Sequence, residues 1–149
     1  MSDLEVAPTA NVTRPQPVIT ERTRGFWDGA RNHELRLQAC RECARLHHPP
    51  VGICPECHAT EFEYRAVNGS GIVHQFCVAR RPRYPGFDAA LPYICVAVEI
   101  DEQPGLMVLG NLLDAAADDV QVGLRVEVCF EPLGDDFYLP QFRRERGAR

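Results

Sequence analysis

Two identical cysteine spacings, Cys40-x2-Cys43 and Cys54-x2-Cys57, stand ten residues apart and constrain this 149-residue chain more than any other feature. A two-residue gap lets one tight turn present both sulfurs to a single ion, and two such turns complete a tetrahedral set of four thiolates. Such a set leaves no position for water, so the site is structural and not catalytic. His47, His48 and His58 lie nearby as spare ligands, but with four thiols in place they read as surface or packing residues. Iron accepts the same knuckles, and a dithiol redox site at Cys54–Cys57 is a further alternative. Zinc is favoured, because the redox reading leaves the second matched pair unexplained.

Cys77, Cys95 and Cys129 bring the cysteine count to seven. An odd count, two close pairs and an acidic start (Asp3, Glu5) with no apolar run point to a reducing cytoplasm rather than a secreted disulfide framework. No apolar stretch is long enough for a membrane-spanning helix, and a soluble protein is expected. The three lone cysteines fall in separate segments that no spacing joins. Free cysteine mostly packs as a small apolar residue, so each is read as structural.

The pattern of the chain changes along its length. Residues 1–21 hold Pro8, Pro15 and Pro17 without periodicity and read as a mobile arm. Thr23 is a plausible cap for a short helix reaching about Glu34, with Phe26 and Ala30 on one side and Gly25 and Gly29 weakening it. Leu35–Gln38 alternates like a strand that leads into the first cysteine pair. After the second pair come five β-like segments: Ile72–Ala79, Tyr93–Asp101, Leu106–Asn111, Leu124–Glu131 and Phe137–Phe142. The turn-rich pieces NGSG, RRPRYPG, DEQPG and PLGDD fall between segments, and DAAADDV favours helix after the third. Five strands with a helix after the third is the order of an OB-fold barrel, with a split β-sandwich as the alternative. The expected organisation is an arm over 1–21, helix and ribbon over 22–66, a barrel over 67–142 and a basic tail over 143–149. Strict alternation puts Cys77 on a face with Val73, Gln75 and Ala79. It puts His74 with Ile72, Phe76 and Val78, as a core or interface residue.

All 16 basic residues are arginine, which removes lysine Schiff-base chemistry, and the net charge of -5 repels nucleic acid over the average surface. No catalytic set emerges. The carboxylate pairs Asp101–Glu102, Asp118–Asp119 and Asp135–Asp136 fall in turns or caps, where acids face water. Gly69-Ser70-Gly71 lacks the length and the following helix of a phosphate-cradling loop.

The succession FWDG, LRLQACREC, HPPVGICPEC, NGSGIVHQF, LPYICVAVEIDE and VGLRVEVCFE, from about Arg22 to Phe142, resembles a known family. It is that of the acyl-CoA-associated OB-fold proteins with an N-terminal rubredoxin-like zinc ribbon, long catalogued as a domain of unknown function. The resemblance implies a mainly β protein: an N-terminal helix, a zinc ribbon held by Cys40, Cys43, Cys54 and Cys57, and a five-stranded barrel. It further implies a non-catalytic accessory subunit of a thiolase-superfamily enzyme, or of an acyl-CoA hydratase, acting on CoA thioesters by thiolysis, Claisen condensation or retro-aldol cleavage. Sterol, aromatic and short ketoacyl groups all stay open as substrates.

Under that resemblance, Phe26 and Trp27 match the aromatic start of the family helix and are candidate anchors on a partner. Packing against the chain's own barrel is the competing reading. Arg80, Arg81, Arg83 and Tyr84 form the densest basic-aromatic cluster and are candidates for CoA, whose phosphates suit arginine forks and whose adenine suits an aromatic face. A nucleic-acid-binding module is the rival function, since barrels and ribbons both serve it, with the net charge against it. Ala44 and His58 stand where family knuckles commonly carry Gly. Gly helps such a turn accept a positive backbone dihedral, so the expectation there is a knuckle that is either slightly strained or closed differently.

Overall fold

Phe26 and Ala30 lie one turn apart, and they turn one side of helix α1 (Arg24–Arg31) toward the sheet beside it, with Ala30 fully buried. The structure, a computed structural model, describes residues 14–81 and 84–147. The helix begins where expected, but Thr23 does not cap it; its hydroxyl is engaged with Thr20 instead. Gly25 is in the helix for lack of a side chain: a Cβ there would sit 2.2 Å from the Tyr64 ring.

Strands β1 (Leu35–Cys40), β2 (Leu46–His47) and β3 (Phe62–Val67) form a small antiparallel sheet in the order β2-β1-β3. The alternating pattern foretold β1 but missed β2 and β3, which are a two-residue strand and a half-exposed sheet edge. The alternation set Gln38 with Arg36, across the strand from Leu35 and Leu37. Gln38 is buried, because its amide bonds the Val51 backbone both ways, Nε2 donating to the carbonyl at 2.9 Å and Oε1 accepting from the N–H at 2.8 Å.

The second unit is a closed barrel of β4 (Ser70–Ala79), β5 (Tyr93–Ile100), β6 (Met107–Leu112), β7 (Arg125–Pro132) and β8 (Tyr138–Arg144), in the order β4-β5-β6-β8-β7. Strand β4 pairs again with β7, and β6 with β8 in parallel, which completes an OB-fold and excludes the sandwich. Between β6 and β7 the expected helix is a single 3₁₀ turn, Ala117–Asp119. Val73, Val96, Val98, Val108, Val126 and Phe142 fill the barrel, and Leu35, Leu37, Ala39 and Leu46 of the small sheet join the same core. Gly69 and Gly71 make the passage from ribbon to barrel possible. Gly69 takes φ +80° with Val128 2.4 Å from where its Cβ would be, and a Cβ on Gly71 would stand 2.2 Å from the Glu99 carbonyl oxygen.

Three expectations change. A bulge between Val73 and Gln75 breaks the alternation of β4, so Cys77 opposes Cys95 on the outer surface instead of sharing a face with core residue Val73. His74, expected in a core or interface, is exposed on this chain, which removes the core reading. Strand β8 runs into the expected tail, with Arg143 paired to Glu127 at 2.8 Å. Residues 1–13 of the expected arm lie outside the described residues, and beyond them Arg14 pairs with Glu131 at 2.8 Å. No helix among the described residues is long and apolar enough to cross a membrane.

Candidate metal centre

The two cysteine turns are built alike. In the first, the Cys40 N–H donates to the Arg45 carbonyl and the Ala44 N–H to the Cys40 carbonyl, both at 2.9 Å. In the second, the Cys54 N–H donates to the Ala59 carbonyl and the His58 N–H to the Cys54 carbonyl, also at 2.9 Å. Closing each turn takes a left-handed residue after its second cysteine, and Ala44 (φ 62°) and His58 (φ 63°) are in that region, so of the two expected outcomes the knuckles keep their closure and carry the strain.

The turns face each other and bring all four sulfurs within 4.8 Å of one another. Across the turns, Cys40 and Cys57 are 3.5 Å apart and Cys43 and Cys54 3.6 Å. Zinc–sulfur bonds of about 2.3 Å in a tetrahedron require sulfurs about 3.8 Å apart, so the four residues fit the ion. Cys40 and Cys54 are fully buried, and Cys43 and Cys57 are exposed.

The chemistry of the donors agrees. The backbone amides of Cys43 and Glu42 point at the Cys40 sulfur and hold its pKa at about 7, against the opposing effect of burial. At Cys54 burial resists ionisation, yet the amides of Cys57 and Glu56 and the His47 ring bring the thiol below its ordinary value. Cys43 and Cys57 are opposed cases. The amides of Arg45 and Ala59 favour their thiolates. Desolvation within the cluster and the sulfurs of Cys54 and Cys40 push Cys43 up, and desolvation and the other three sulfurs push Cys57 up to about 12. Four thiolates side by side need a cation to be stable together, and zinc supplies one.

Of the three nearby histidines, His47 takes a role beyond surface or packing. It is buried on β2 with its Nε2 3.4 Å from the Cys54 sulfur, placed to support a ligand instead of being one. His58 is exposed, and His48 stacks on Phe26 with ring centroids 5.0 Å apart. Burial holds the His48 pKa below the ordinary histidine value.

The other expected site residues are not brought to the metal. Trp27 packs on Phe137 with centroids 5.2 Å apart, and Phe26 against the core, so both meet the chain's own fold. Both also line a shallow depression of about 330 Å³ with Pro50, Leu109 and Pro140. Arg80 and Arg81 are exposed just past β4, Tyr84 is exposed farther along the same loop, and Arg83 lies outside the described residues.

A mainly β chain with a closed four-cysteine ribbon leading into an OB barrel is a zinc-ribbon OB-fold protein. Residues 27–63 match the ChsH2 rubredoxin-like zinc ribbon domain and residues 64–131 the ChsH2 C-terminal OB-fold domain. The chain belongs to this ChsH2-type DUF35 family. It is 31% identical over 99 residues to a DUF35 domain-containing scaffold protein of Methanocaldococcus jannaschii, covering 65% of this chain and 67% of that one. It is 32% identical over 115 residues to the 3-oxo-4,17-pregnadiene-20-carboxyl-CoA hydratase alpha subunit of Mycobacterium tuberculosis, covering 77% of this chain and 35% of that protein. The chain thus spans little more than a third of that subunit, and 40% of a probable enoyl-CoA hydratase alpha subunit of Thermomonospora curvata to which it is also similar. Among solved structures, a chain of the Ltp2-ChsH2(DUF35) aldolase superposes with TM-score 0.78 at 29% identity, over 87% of this chain and 98% of that one.

Proposed function

We propose that this chain is a non-catalytic accessory subunit of an acyl-CoA enzyme that makes or breaks carbon–carbon bonds, with a thiolase-fold protein as its partner. The observation that supports this reading is the shared architecture: ribbon and barrel together match nearly all of a chain from a two-component aldolase. The closed sulfur set fits a ribbon that is built for rigidity. The relatives named as hydratase subunits keep an acyl-CoA hydratase as the second candidate partner.

In this reading Phe26 and Trp27, with the apolar depression they line, contribute to the contact with the partner. Arg80, Arg81, Arg83 and Tyr84 are the candidates to bind the phosphates and adenine of CoA. Affinity purification of the tagged chain from its own host tests the proposal. A thiolase-fold enzyme recovered in near-equal amount is the expected result. Recovery without any acyl-CoA enzyme, or with nucleic acid, overturns it.

A further inference from the structure

The bulge in β4 has a chemical consequence. Past it, Cys77 stands directly opposite Cys95 of β5, and Cys95 in turn stands opposite Asn111 of β6, so the three form one row across the outside of the barrel. Directly opposed residues of an antiparallel pair have α-carbons about 4.5–5.5 Å apart, inside the roughly 4.4–6.8 Å that a disulfide spans. Cys77 is exposed and Cys95 is half-buried beside it. Both lie in a groove of about 440 Å³ that Phe76 and Leu109 also line.

We propose that Cys77 and Cys95 form an oxidisable dithiol site that takes low-molecular-weight disulfides, such as glutathione disulfide, as its oxidant. The exposed Cys77 thiolate attacks one sulfur of glutathione disulfide and releases one glutathione, leaving a mixed disulfide on Cys77. Cys95 then gives up its proton and attacks the Cys77 sulfur, releasing the second glutathione. Two protein thiols are oxidised to one cross-strand disulfide. One glutathione disulfide is reduced to two thiols, which take up the two protons.

The surroundings set this order. The Cys95 thiol is 3.8 Å from Asn111 Oδ1, to which its S–H donates. Burial, and then the neighbouring charge on Cys77, hold its pKa above the ordinary thiol value, so it remains protonated as the resolving partner. Cys129 provides a built-in control, because it faces Gln141 across the β7–β8 ladder and has no thiol opposite it.

The test uses the zinc-loaded chain, incubated with glutathione disulfide at mildly alkaline pH and analysed by intact mass and peptide mapping. The expected product has lost two hydrogens, links the Cys77 and Cys95 peptides, retains its zinc, and reverts with dithiothreitol. Cys95→Ser traps the glutathione adduct on Cys77, and Cys77→Ser slows reaction at Cys95 at least tenfold. A stable adduct on Cys77 in the unsubstituted chain, with no internal link, overturns the proposal. So does oxidation of the ribbon cysteines, with zinc loss, before any Cys77–Cys95 bond appears.

Discussion

The ribbon and the barrel touch one another and share a core, yet they are held in opposite ways. The barrel closes its hydrogen-bond ladder and fills its interior with valines, Ile94, Ile100 and Phe142. The ribbon's end beyond β2 has no such filling: residues 48–61 contain no helix or strand, and Ile53 is 61% exposed. That segment is fixed by the metal ligands at one end and the Gln38–Val51 bonds at the other. One region is stable because apolar area leaves water, the other because an ion replaces the core it is too small to build. The two meet at the β5–β6 turn. There Gln103 bonds the Leu46 backbone in both directions at 2.9 and 3.0 Å, and Glu102 accepts from the Asn68 N–H.

The largest expected effect is loss of zinc. Structural zinc contributes on the order of 10 kcal/mol to ribbon folding at neutral pH. Chelation, or Cys54→Ser, should therefore give fast amide exchange over residues 48–61 while β5 and β6 keep their protection. Simultaneous loss of protection in the barrel would break the distinction drawn above. Phe142→Ala is the mirror experiment. It empties a fully buried site and should cost about 3–5 kcal/mol in denaturant unfolding, with zinc content unchanged by elemental analysis.

The latch comes next in size. Gln103→Ala removes both bonds to Leu46 and leaves buried backbone groups unpaired, which costs about 1–3 kcal/mol. Faster exchange at the Leu46 amide and faster zinc release to a chelator are the expected readouts. Ala44→Gly should act in the other direction. It relieves a positive φ that costs a side-chain-bearing residue about 1 kcal/mol or more, so zinc release should slow.

The smallest effect belongs to Arg125, which donates to Asp101 at 2.7 and 2.8 Å and to Glu145 at 3.1 and 3.2 Å on the surface. The Arg125 hydrogen bonds hold both carboxyls below their ordinary values. Ionised carboxylates therefore favour the folded chain, with the contribution complete above the ordinary carboxyl pKa of about 4 and lost as pH falls through the lowered folded values. Thermal unfolding of Arg125→Met should fall slightly below that of the unsubstituted chain at pH 7, and the gap should close in acid.

Much of this was legible in the residues themselves. The zinc ligands could be read because a metal knuckle is a local object: its spacing and its left-handed position lie within six residues, Cys40 to Arg45. The barrel order could be read because most of its strands keep their alternation and end at turn residues. What alternation could not supply was an exception to itself. A single extra residue after Val73 turned Cys77 outward and set it against Cys95, and nothing within β4 announces where a bulge falls. His47 beside Cys54 and Gln103 on Leu46 were hidden for a related reason. Their partners are chosen by how the sheet, the knuckles and the barrel turn pack, and a one-residue change of register would replace every one of them. The sequence by itself determined which residues bind the ion and in what order the strands come. Only the tertiary structure decided which side chains meet across them, because cross-strand neighbours follow from register and close approach, which no local pattern encodes.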